Sequence, residues 1–170
     1  MPPPRTGQAR ENKHMKYTLS ILVENQPGVV CKVVGLFSRR GYNLDSVAVG
    51  ATEDSTMSCV TIVGEGDDYI LEQVEKQLNK LVPVIKVRSL SQDAVRAELM
   101  LVKVGCEAQD LAGINQIAAL MKAQVADVAK GSVTLRFTGD HSQCDTLCEL
   151  LRPYGIREIA RTGAIALERG

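Results

Sequence analysis

The chain has no tryptophan, two phenylalanines and four tyrosines, so aromatics make up 4% of its 170 residues and any core must be built from Val, Ile and Leu. It also has no excess of charge of either sign, since 20 Lys and Arg face 20 Asp and Glu. Without a positive field to draw phosphate backbones or anionic lipid, nucleic acid and membrane surfaces are excluded as main partners. Long apolar runs are missing too: Lys, Glu, Gly or Asn breaks every greasy stretch short of the roughly 20 residues a spanning helix needs. Five cysteines are an odd number, irregularly spaced among aliphatic residues. That suits reduced thiols serving as small core hydrophobes better than a disulfide framework.

Residues 1–15, MPPPRTGQARENKHM, contain three consecutive prolines and no apolar periodicity, so a disordered tail is expected there. The segment has no serine, against a plastid transit peptide, and no apolar middle, against a secretory signal.

From Lys16 the pattern becomes regular. Tyr17, Leu19, Ile21 and Val23 alternate with polar or intervening positions, the period of a half-buried strand. After Glu24-Asn25-Gln26-Pro27-Gly28, apolar residues at three- and four-residue spacing (Val29, Val30, Val33, Val34, Phe37) predict a helix over 28–40, stopped before Gly41. Residues 42–50 and 56–63 read as a hairpin, and Gly64-Glu65-Gly66 as a strand-to-helix turn. A second helical stripe follows Asp67-Asp68, and a strand covers 84–89. The order β-α-β-β-α-β within one small unit is the ferredoxin-like arrangement, an antiparallel sheet with both helices on one face. The second half repeats that order, with strands over 98–104, 124–130, 132–139, 156–160 and 164–167 and helices over 111–121 and 143–151. The expected architecture is therefore α+β, with two ferredoxin-like domains over 16–90 and 95–170 joined by the short polar segment 90–94.

Side chains that could do chemistry are sparse. Of the two histidines, His14 lies in the tail and His141 at a helix start. His141, Cys144 and Cys148 share a helical face, but a structural zinc site needs a fourth ligand, and core packing is the simpler reading of the two thiols. Gly64-Glu65-Gly66 matches neither a dinucleotide fingerprint nor a phosphate loop. The candidate central strand Met57-Ser58-Cys59-Val60-Thr61-Ile62 lacks the aromatic platform of RNA-binding relatives of this fold. An enzyme on this scaffold would need a clustered acid, base or nucleophile, and a transcriptional sensor a basic DNA-reading element. Neither pattern is present in the sequence, so no catalytic residue and no metal ligand is assigned.

One junction stands out. Pro27 presets its φ for entry into a first turn, and Gly28 lacks a Cβ, so a ligand can approach the backbone. The free N–H groups at the start of the helix, at Gly28, Val29 and Val30, point outward with the positive end of its dipole. Asn25 beside them carries both a donor and an acceptor, and Asn43 begins the next strand, at what is expected to be the same end of the sheet. Together they could hold the head group of an amino acid. A plain helix cap explains Asn25 equally well.

LVENQPGVV, GLFSRRGYNLDSVAVG and VEKQLNKLVPVIKV resemble the N-terminal ACT domain of the regulatory (small) subunits of acetolactate synthase, also called acetohydroxyacid synthase. ELMLVKV and the closing IREIARTGAIAL resemble the C-terminal half of the same subunits, so the likeness spans Lys16 to Leu167. The runs FSRRGYN and ARTG are its specific part. This chain departs at Ser58-Cys59, Ala97-Glu98 and Met121-Lys122, where the family usually has Ser-Arg, Arg-Glu and Phe-Arg.

The resemblance implies a protein without an active site or cofactor of its own. It would bind and activate a catalytic large subunit carrying thiamine diphosphate, Mg and FAD, and confer feedback inhibition by valine, sometimes with leucine. It further implies a homodimer through ACT domains, with the inhibitor at their interface against Asn25, Gly28, Val29, Val30 and Asn43. Bacterial cytoplasm and plastid stroma both suit such a protein.

Overall fold

The structure, a computed structural model, describes residues 15–170; of the expected disordered tail, all but Met15 lies outside the described residues. The alternation in β1 (Met15–Glu24) buries Tyr17, Leu19, Ile21 and Val23 on one face. Val29, Val33, Leu36 and Phe37 of α1 (Val29–Arg39) close on them, joined by Val60 and Ile62 of β3 (Met57–Gly66) and Val74 and Leu78 of α2 (Asp68–Leu78). Each fully buried aliphatic side chain of this size contributes about 1.5–3 kcal/mol. With β2 (Leu44–Ala51) and β4 (Val84–Ser89), the first sheet has the order β2-β3-β1-β4, antiparallel throughout.

The same logic builds the second half. Met100, Val102 and Val104 of β5 (Val95–Gly105) pack with Val133, Leu135 and Phe137 of β7 (Ser132–Gly139) against α3 (Leu111–Met121) and α4 (His141–Leu151). β6 (Gln124–Ala129) and β8 (Ile156–Arg161) complete the order β6-β7-β5-β8, and a short β9 (Ile165–Leu167) pairs with the first residues of β5. The fold is the expected pair of ferredoxin-like units. Among the described residues, no helix is long and apolar enough to cross a membrane.

Two expectations change. Gly64-Glu65-Gly66 is not a turn but the last part of β3, paired with Tyr17, Lys16 and Met15. The glycine at 64 serves packing, because a Cβ there would stand 2.7 Å from the Tyr17 hydroxyl and 3.2 Å from the Asn43 carbonyl. Asn43 and Asn25 lie at opposite ends of the sheet, not the same end. β2 pairs Leu44 with Gly64, which also faces Tyr17 near the start of β1, whereas Asn25 follows Glu24, the residue opposite Met57. The eight residues from Tyr17 to Glu24 span roughly 23 Å of strand.

The Tyr17 hydroxyl that roofs Gly64 is buried with no hydrogen-bond partner among the described residues. Burial pushes its ionisation above the usual phenol range, with Tyr42 and Asp45 adding to the effect. Tyr17→Phe removes an unsatisfied polar atom and keeps the ring. It should therefore be neutral or stabilising by up to about 1 kcal/mol in urea unfolding, where most tyrosine truncations in a core destabilise.

The segment between the halves is tightly held. Arg96 donates to the carbonyls of Gln92 (2.7 Å), Ser91 (2.7 Å) and Ala94 (3.2 Å), folding the linker around its guanidinium. Glu168 accepts from the Ser91 N–H at 3.1 Å, and Arg169 donates to the Asp93 carbonyl at 2.6 Å. Leu90, Ala94 and Ala166 are buried together beneath these contacts.

Candidate functional site

β1 delivers its last residue into a loop that is tied down on both sides. The Glu24 N–H donates to the Pro83 carbonyl (2.9 Å) and the Asn25 N–H to the Thr56 carbonyl (2.7 Å). The Asn25 side chain adds a third tie, donating through Nδ2 to the Ser55 carbonyl at 3.0 Å and so bracing the tip of the β2–β3 hairpin. Part of its amide is thus structural, while Oδ1 makes no hydrogen bond to the chain among the described residues. The side chain is exposed, as are Pro27, Gly28 and Asn43.

Gly28 occupies the cap position of α1 at φ +81, the left-handed conformation that a glycine adopts without a Cβ penalty. Its neighbours show what it leaves undone. α2 and α4 each begin with an aspartate whose carboxylate takes a first-turn amide, Asp67 from Ile70 and Asp140 from Gln143, the latter in a reciprocal capping box. No side chain caps α1, and its first turn carries no acidic residue. The Val29 N–H donates to the Gln26 carbonyl at 3.3 Å, a long turn bond. The amides of Gly28, Val30 and Cys31 have no acceptor among the described residues. Val29 itself is buried in the core and anchors the turn, while Val30 is half-buried beside it. The arrangement offers adjacent open donors at the positive end of a helix dipole, next to an unengaged amide oxygen, which suits a carboxylate that carries an ammonium close by.

Asn43 is not brought to this turn within one chain, because the register puts it near the far end of the sheet. Periodicity and turn chemistry placed Asn25 and Gly28 where they are found. They carried no information on pairing register, which is set between strands distant in sequence.

The other candidates lie on α4. Cys144 is fully buried and Cys148 half-buried, its sulfur 3.6 Å from Met100 Sδ. His141 faces Glu98 (3.5 Å) and Asp145 (3.4 Å). Among the described residues, no group of three or more His, Cys, Asp or Glu side chains is placed to hold a metal ion. Burial, helped by the charge of Glu98, pushes the Cys144 thiol up to about 11. Its unfolded counterpart ionises near ~8.5, so above that pH the unfolded state holds fewer protons than the folded one. Stability contributed by this thiol is intact below about pH 8.5 and is lost as pH rises toward about 11, by about 3 kcal/mol in all. Urea titrations at neutral pH and at about pH 10.5 should show this loss in the wild type and a smaller one in Cys144→Ala.

The comparisons with known proteins point one way. The family model described as AHAS small subunit-like ACT domain matches residues 19–86, and that described as small subunit of acetolactate synthase matches residues 97–170. The chain is 44% identical over 156 residues to the probable acetolactate synthase small subunit of Archaeoglobus fulgidus, covering 92% of this chain and 98% of that one. It is 47% identical over 155 residues to the acetolactate synthase small subunit of Mycolicibacterium smegmatis, covering 91% of each. The crystal structure of the acetolactate synthase small subunit from Thermotoga maritima superposes with a TM-score of 0.86 at 36% identity, over 92% of this chain and 98% of that one.

Proposed function

The chain belongs to the family of acetolactate synthase small subunits, and from that premise we propose that it binds the catalytic large subunit, raises its activity and makes it sensitive to feedback inhibition by valine. Leucine is a second effector for the same site in this proposal. The observation that carries the effector reading is the uncapped start of α1: Gly28 in a left-handed turn, open amides at Gly28, Val30 and Cys31, and Asn25 Oδ1 alongside. The valine carboxylate sits on those amides and its ammonium against Asn25.

Asn43 reaches the ligand only from a second copy. β2 is an edge of the first sheet, so one side of its backbone is free to pair with another chain. Two β2 edges joined about a two-fold axis place the Leu44 end of one beside the Ala51 end of the other, and Ala51 lies toward the hairpin that Asn25 braces. The ammonium is then shared between Asn25 and Asn43 of the partner subunit. The chain performs no chemistry in this scheme. The thiamine diphosphate, Mg and FAD belong to the large subunit, and valine acts by favouring one arrangement of the assembly over another, with a coupling of about 1–3 kcal/mol.

Two measurements test this. Isothermal titration of the full chain should detect valine binding, and saturation near 100 times the dissociation constant should stabilise it by about 2.7 kcal/mol. Mixing the chain with its large subunit should raise acetolactate formation and render it valine-sensitive. A chain that neither associates with nor activates the large subunit overturns the proposal. One that activates but ignores every branched-chain amino acid removes the effector part.

A further inference from the structure

The segment Arg161-Thr162-Gly163 has no part in the site at α1. It lines a cleft of about 570 Å3 between the two domains. One wall is the face of the first sheet turned away from its helices, with Thr18 and Val63; the other is the end of the second domain where β5, α4 and the loop after β8 converge. The Glu98 carboxylate opens onto this cleft although its side chain is 4% exposed. Its oxygens stand 3.5 Å from His141 Nδ1 and 3.9 Å from Arg161 Nε, and neither oxygen accepts a hydrogen bond among the described residues. That carboxylate is flanked by His141 and Arg161, and its oxygens meet solvent through the cleft, where an ammonium can donate to them. Arg161 is only partly committed, giving Nη2 to Asp145 (2.8 Å) and to Cys148 Sγ (3.6 Å). Lys16 faces it from the first domain, 3.2 Å from Asp45.

These features select a ligand class. A simple anion would meet the Glu98 charge, and the start of α4 offers it no carboxylate-free cap because Asp140 already occupies the first-turn amide. A metal ion would lack its ligand set, since among the described residues no three suitable side chains converge. A molecule carrying both signs fits both walls, and Val63 and Ala164 supply an apolar surface for a small side chain. We propose that the interdomain cleft is a second binding site for a free α-amino acid, with its ammonium on Glu98 and its carboxylate on Arg161 and Lys16. This site is independent of the one at Gly28.

The experiment uses the 15N-labelled full chain titrated with the common L-amino acids, and with isobutylamine and isobutyrate as single-charge controls. At least one amino acid should shift the backbone amides of Ser46, Thr162 and Gly163. It should do so equally in Asn25→Ala, and at least about tenfold more weakly in Glu98→Gln, the ratio expected for one charge-assisted hydrogen bond. The two controls should leave these amides in place at the same concentration. If Glu98→Gln does not fold, Ala164→Leu narrows the cleft without changing a charge and must weaken the same shifts. The proposal falls if no amino acid moves the cleft amides, if only residues 26–31 and Asn43 respond, or if isobutylamine alone moves the cleft amides as strongly. A failure of valine to bind at Gly28 would leave the cleft result unaffected, because the two sets of amides are read separately.

Discussion

Gly28→Asp is expected to abolish valine inhibition of the reconstituted complex while the chain still activates the catalytic subunit. A Cβ at this position meets nothing within 4 Å, so the new side chain has room. The folding cost is the left-handed backbone at φ +81, about 1–2 kcal/mol and at the low end for Asp, which tolerates that region better than most residues. The effect on the ligand is larger. A carboxylate set beside the amides proposed to receive valine's own carboxylate would oppose it by several kcal/mol, enough to weaken binding about a hundredfold or more. Valine titrations of acetolactate formation read both quantities at once. Inhibition that persists with an unchanged midpoint would rule out this turn as the carboxylate receptor. Loss of activation together with inhibition would show instead that the fold failed. Asn25→Ala is a less clean probe, because it also cuts the bond to Ser55 and loosens the hairpin tip.

Gly163→Val should produce the largest loss of stability. Gly163 lies at φ +78, and a Cβ there would come within 3.0 Å of the Ser46 Cβ and 3.6 Å of the Val47 carbonyl. A β-branched residue therefore meets backbone strain and a cross-domain clash together, about 2–4 kcal/mol when the two are combined. Urea unfolding should show that loss, and limited proteolysis should cut the 90–94 linker faster, as the domains part and Leu90 and Ala94 become exposed. Gly163→Ala should show the same signs at about half the size. A variant that unfolds like the wild type would mean the contact between Gly163 and Ser46 does not hold the domains together.

Much of this was legible from residue order. The two-residue alternation of Tyr17, Leu19, Ile21 and Val23, and the stripe from Val29 to Phe37, are local consequences of one buried face, and both are found as read. So were Gly28 at the start of α1 and the burial of Cys144, each of which follows from neighbours within a few positions. What escaped depends on partners far along the chain. Gly64 looked like a turn because the Tyr17 ring that requires its missing Cβ lies 47 positions earlier. Asn43 was set at the wrong end because strand register is a tertiary property. Glu98 and Arg161 draw no role from residue order, since nothing in their local pattern says that a second domain closes over them. The Ala-Arg-Thr-Gly run carried a hint, as a glycine shortly after a β-prone segment often marks close approach of another backbone.

The antiparallel path of β2 has a consequence for dilution experiments. A lone chain would own two incomplete halves of a receptor, held far apart, and only association would complete them. Apparent affinity for the metabolite should then fall as the protein is diluted below its self-association constant, and by reciprocity the metabolite should tighten self-association by the same factor. Sedimentation of dilute samples with and without valine would read that factor directly, with no catalytic partner in the tube.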